Sequence, residues 1–161
     1  MSVKLQNLPP RIANLRVDSR GFPVPWFVHW NRDGTPDFRI IGEGKFAEAV
    51  RMRRCWVCGG RLGKWLAFVI GPMCVLNRIS GEPPCHKDCA IFAAKTCPFL
   101  TNPGMRRNAV RAMEGERVMH PDHIDRNPGV TAIWITQSYA VLPTGAHYVI
   151  EIGEHEEILW F

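Results

Sequence analysis

Between residues 24 and 30 apolar positions alternate with others. Val24, Trp26, Val28 and Trp30 fall on one side of an extended chain, the period of a half-buried strand. Asn31-Arg32-Asp33-Gly34 reads as a turn and Asp37 to Ile41 as the return strand, so a first hairpin is expected over 24–41. The period then changes. Phe46, Ala49, Val50 and Arg53 recur at helical spacing, which predicts a short helix from Lys45 to Arg54 behind Gly42 and Gly44. Residues 64–70 and 74–79 are rich in β-branched and aromatic side chains, with Gly71-Pro72 between them. They predict a second hairpin over 64–80, with Trp65 as a core residue of its first strand. Pro83-Pro84 leads into a helix from Cys85 to Ala94 or beyond, ended by Cys97-Pro98. Residues 101–128 are rich in Gly, Pro, Asn, Arg and His, with a short helix over 105–113. Strand chemistry returns at 130–136, 148–152 and 157–161.

These elements make an α+β chain of hairpins and short helices. The expected organisation is a single domain over 1–161. It comprises an N-terminal arm (1–22), a hairpin and helix (23–54), a cysteine-bearing module (55–97), a loop-rich linker (98–128) and C-terminal antiparallel strands (129–161). A hydrophobic content of 46% against 22% charged residues excludes a wholly disordered chain. The longest apolar run, residues 65–76, is too short to span a bilayer and carries Gly71-Pro72. The first residues lack the apolar core of a signal peptide, so a cytoplasmic location without membrane contact is the expectation.

The formal charge of +5 is unevenly distributed. Residues 1–64 hold 12 basic and 5 acidic side chains (net +7), residues 65–117 hold 7 and 4 (net +3), and residues 118–161 hold 1 and 6 (net −5). Either the basic part faces an anionic partner, or the acidic end folds back against it.

All six cysteines lie between Cys55 and Cys97, and short spacings in a reducing compartment point to metal ligation rather than disulfides. Cys55-Trp56-Val57-Cys58-Gly59-Gly60 is a C-x-x-C-G-G knuckle, in which glycines let backbone amides turn toward the thiolates. His86-Lys87-Asp88-Cys89 sets two more ligands three residues apart at the start of a helix, whose positive end favours thiolate. The expected site is a structural zinc ion held by Cys55, Cys58, His86 and Cys89. Cys85 is an alternative to His86 at similar spacing, and Cys74 and Cys97 read as small buried apolar residues. A knuckle, a hairpin and a helix donating two ligands from its first turn resemble the treble-clef zinc finger over residues 54–96. Four protein ligands leave no open position for catalysis.

Some treble clefs are His-Asn-His nucleases. His120 and His123, in His120-Pro121-Asp122-His123, carry a superficial likeness to them, but they lie some thirty residues beyond the helix ligands. No phosphate loop, dinucleotide fingerprint or zincin pair occurs, so no enzyme is expected, with a metal-dependent nuclease as an alternative. Arg51, Arg53, Arg54, Arg61 and Lys64 bracket the knuckle. Guanidinium groups pair with phosphates and tryptophans stack on bases, so these residues with Trp56 form the candidate nucleic-acid face. Arg106, Arg107, Arg111 and Arg117 form a second basic cluster.

Pro-Trp-Phe, Cys-Trp-Val-Cys-Gly-Gly, Gly-Pro-Met, His-Lys-Asp-Cys-Ala, Cys-Pro-Phe-Leu and Asn-Pro-Gly-Val together look like a family of small bacterial and phage proteins. That resemblance implies a phage or mobile-element setting and carries no activity. The expectation is therefore a zinc-stabilised module that engages nucleic acid or a complex acting on it, and otherwise a protein-binding or structural module. No small-molecule cofactor is expected.

Overall fold

A computed structural model describes residues 5, 7–105, 127–145 and 147–161, and the chain folds as α+β with antiparallel sheets and short helices. The segment expected to be an arm contains a helical turn, α1 (Pro10–Ala13), which buries Ile12 completely. The first hairpin forms, with β1 (Val28–Trp30) antiparallel to β2 (Pro36–Ile41). Its first strand is shorter than the alternation suggested, because Trp26 is drawn away: its N–H donates to the Val57 carbonyl at 2.7 Å. Gly34 supplies the positive φ of the turn, and the Asp33 carboxylate accepts from the N–H and hydroxyl of Thr35. The ladder is irregular between Val28 and His29, and the Asp37 carboxylate accepts instead from the N–H and guanidinium of Arg39.

Helix α2 (Lys45–Met52) begins at the predicted residue and ends two residues before the predicted Arg54. Arg53 stops it in the left-handed conformation, a place glycine usually takes.

The second hairpin does not form. Strand β3 (Leu66–Ile70) is as expected, but the residues read as its return strand fold into helix α3 (Pro72–Asn77). Pro72 at the first helical position presets φ, Gly71 is the extended cap, and Arg78 at positive φ ends the helix. Only β4 (Ile79–Ser80) remains extended. Helices α4 (Lys87–Thr96) and α5 (Pro98–Thr101) then meet at Cys97-Pro98, where the first was expected to stop.

The partner of β3 is remote. It pairs in register with β5 (Ala132–Thr136), Phe68 opposite Trp134. A strand absent from the sequence reading, β6 (Tyr139–Thr144), follows and pairs with β7 (His147–Ile152), and β8 (His155–Trp160) closes the described chain. The strand orders are β3-β5-β8 and β4-β7-β6. Strand β6 contains Pro143 and lies at the edge of its sheet, the place where a strand tolerates proline. Helix α4 packs on β3 and β5, and Phe68 meets Tyr139 edge-on across the two sheets. Leu66, Phe68, Ile133, Ile135, Ile150 and Ile152 form the centre of the core.

The acidic end does fold back. Arg78 pairs with Glu154 and Lys87 with Glu157, so part of the charge asymmetry is neutralised within the molecule. No helix among the described residues is long and apolar enough to cross a membrane. The expected helix over 105–113 falls almost wholly outside the described residues.

Candidate metal centre

Two short segments, remote in sequence, build the site. Leaving α2, the chain makes a tight loop closed by a bridge between Arg54 and Arg61. The N–H of Cys55 donates to the Gly60 carbonyl at 2.7 Å, and that of Gly59 to the Cys55 carbonyl at 2.8 Å. Gly59 sits at φ +72°, and a Cβ there would lie 2.5 Å from the Trp26 ring, so only glycine fits. A Cβ on Gly60 would touch the Cys58 sulfur at 3.4 Å. The second segment is the start of α4, where His86 is the N-cap and Cys89 lies in the first turn.

The ligand atoms of Cys55, Cys58, His86 and Cys89 all lie within 4.8 Å of one another, close enough to hold a metal ion. Backbone amides point at the sulfurs. Cys55 Sγ accepts from the N–H groups of Cys58 (3.5 Å) and His86 (3.4 Å), and Cys58 Sγ accepts from that of Gly60 (3.4 Å). Such donors stabilise thiolate over thiol. His86 is oriented by its other ring nitrogen. Nε2 lies 3.0 Å from the Arg61 carbonyl, which can only accept, so Nε2 carries the proton. Nδ1 is left free to donate its lone pair, 3.4 Å from Cys58 Sγ and 3.9 Å from Cys89 Sγ.

The electrostatics ask for a cation. Hydrogen bonds from Cys58, then Cys85 and Cys89, hold the Cys55 thiol far below its usual range. The resulting charge pushes Cys58 and Cys89 up and favours protonated His86. A positive ion among the sulfurs would favour their deprotonation.

Cys85, the alternative ligand, is not among these four clustered residues. It is buried and locked into a bridge with Ala67, each N–H donating to the other's carbonyl, at 2.7 and 2.9 Å. The neighbouring Cys55 and burial both push its thiol well up. Cys85→Ala is expected to keep the metal stoichiometry of the wild type, whereas Cys89→Ala should lose it. Metal analysis of the two purified variants decides, and loss in Cys85→Ala would make Cys85 a ligand. Cys74 and Cys97 are half-buried and stand outside the cluster.

The candidate nucleic-acid residues separate. Trp56 is 2% exposed: its ring stacks on Phe27 at 4.8 Å and meets Trp26 and Phe46 edge-on. It is a core residue and cannot receive a base. Arg54 is committed to Glu48 (2.9 Å) and to the Gly59 carbonyl (3.0 Å). Arg51 lies on α2 and lines a groove of about 580 Å³ with Val141 and Tyr148. Arg53, Arg61 and Lys64 are exposed around the loop that leaves the knuckle. Trp65, expected in the core, is 48% exposed, with the Lys64 ammonium 5.3 Å from its ring centroid. It stands one residue before β3, and burial begins at Leu66. His120, His123 and the arginines at 106, 107, 111 and 117 lie outside the described residues.

In comparisons with protein-family models, curated proteins and solved structures, nothing matches the chain.

Proposed function

We propose that the cluster holds zinc as a structural ion and that the loop it braces offers a basic surface to nucleic acid. Three thiolates and one imidazole are a zinc donor set, and tetrahedral zinc with Zn–S bonds of about 2.3 Å spaces its ligands about 3.7 Å apart. The 3.4 and 3.9 Å separations about His86 Nδ1 match that spacing. With four protein ligands the ion joins the knuckle to α4 and supplies no open position for a substrate.

One observation carries the nucleic-acid reading: Arg53, Arg61 and Lys64, which are exposed and belong to none of the ion pairs among the described residues, lie on or next to the braced loop. Arg53 reaches over and donates to the Gly63 carbonyl at 3.1 Å. Arg61 is fixed through its carbonyl by His86, and Lys64 and Trp65 follow. Cations held on an ordered loop bind phosphates without the cost of ordering it.

The metal-loaded protein is expected to bind labelled DNA or RNA at low ionic strength, with affinity falling linearly on a log–log salt plot. An absence of salt-dependent binding to either would remove this reading. The protein-binding alternative has its own observation. Helix α3 turns Met73 and Leu76 outward, 60% and 77% exposed, an apolar surface of the kind protein partners cover.

A further inference from the structure

We infer that the loop surface selects single-stranded over double-stranded nucleic acid, with Trp65 as the stacking platform and Arg53, Arg61 and Lys64 as phosphate contacts. This rests on the nucleic-acid reading above and narrows it to one class of ligand.

The first argument is the chemistry of the indole. In a duplex the base faces are covered by their neighbours, and a side chain reads only base edges in a groove or the phosphates outside. A solvent-facing indole gains little there. In a single strand each base has a face free to stack, and stacking is tolerant of sequence because every base has one. Trp65 is the exposed aromatic group on this loop, and the Lys64 ammonium lies beside its ring.

The second argument is preorganisation. Trp65 is exposed but its backbone is not loose. Leu66, immediately after it, is fully buried and opens a strand paired along its length with β5. Two residues before it, the Gly63 carbonyl is held by Arg53, and Leu62 is held by its N–H to the Arg53 carbonyl at 2.7 Å. The platform is therefore clamped on both sides, and its binding energy is not spent on ordering the chain.

The third argument is juxtaposition. Lys64 places its ammonium 5.3 Å from the indole centroid, within cation–π range. A nucleotide whose base stacks on Trp65 brings its phosphate charge toward Lys64, which can turn from ring to phosphate without a backbone change. A duplex offers the same phosphate to Lys64 and nothing to the ring. The three cations alone would bind either form, so the tryptophan makes the difference.

The test uses the metal-loaded full chain and three fluorescent probes of equal length: oligo(dT), oligo(U) and a DNA duplex. The wild type should bind at least one single strand more tightly than the duplex at the same salt. Trp65→Ala should weaken single-strand binding by about 5- to 150-fold and leave duplex binding unchanged. Trp65→Phe, which keeps a ring, should recover most of the loss. Lys64→Ala should weaken both forms and lower the single-strand salt slope by about 0.7. Metal content and melting temperature should match the wild type in every variant, since the altered side chains are exposed. Equal losses on single strand and duplex in Trp65→Ala, no loss on either, or a wild type that prefers duplex would each overturn the inference. In those cases salt-dependent binding would still leave the basic-surface reading standing. A wild type that binds none of the probes overturns both.

Discussion

Cys58→Ser is expected to lose the metal and the cooperative fold together. The serine hydroxyl stays protonated near neutral pH and cannot replace a thiolate donor. The segment that Cys58 anchors has no ladder or helix of its own. From Cys55 to Leu62 it contains no regular element and is held by a bridge, a few scattered hydrogen bonds and the packing of Trp56, while it buries Trp56, Val57 and Leu62. Apparent zinc-binding energies in small fingers are about 10–16 kcal/mol, against a total stability of about 5–15 kcal/mol for ordinary domains. Losing the ion therefore removes an amount comparable to the whole. Metal stoichiometry and thermal unfolding by circular dichroism are the measurements, and a strong chelator added to the wild type should reproduce the result. Acid should act in the same direction. The sulfurs and His86 Nδ1 must be unprotonated to bind, so lowering the pH returns protons to them and releases the ion. A soluble, metal-free Cys58→Ser protein melting cooperatively at the wild-type temperature would end the structural interpretation.

The site was more legible than the fold around it, for a physical reason. Ligand spacing is local: Cys-x-x-Cys and His-x-x-Cys are short enough for the backbone alone to bring each pair together, and the two pairs needed only one meeting. The partner of β3 is not local. More than sixty residues separate Phe68 from Trp134, and no feature of the 64–80 segment reports that its strand pairs so far away. The apolar run after Gly71-Pro72 suits a return strand and a helix equally well, because proline at a first position favours the latter. The tryptophans failed for a related reason. Strand β3 is covered on both faces, so it has no alternation to mark that burial starts at Leu66 and not at Trp65. Trp56 lies in a knuckle with no period at all, and its direction is set by the turn between two ligands. The charge asymmetry, by contrast, was partly internal pairing, which position along the chain could not distinguish from a basic face.

Trp56→Ala should be the most destabilising change outside the ligands, about 3–5 kcal/mol, the range for truncating a buried aromatic residue. The ring fills the space between Phe27, Trp26 and Phe46, so its loss uncouples the first hairpin and α2 from the metal loop. The loss should also lower metal affinity, because Cys55 and Cys58 flank the residue. Trp56→Phe should be far milder. It keeps a ring against Phe27 and removes the buried indole N–H, which has no hydrogen-bond partner among the described residues. Trp65→Ala, at the exposed position, should change stability by no more than about 0.5 kcal/mol. Denaturant midpoints of the three metal-loaded variants make the comparison. The two tryptophans lie nine positions apart in one sequence and should sort cleanly, Trp56 by stability and Trp65 by binding. A Trp56→Ala protein of wild-type stability that had lost nucleic-acid affinity would reverse that assignment and return Trp56 to the surface.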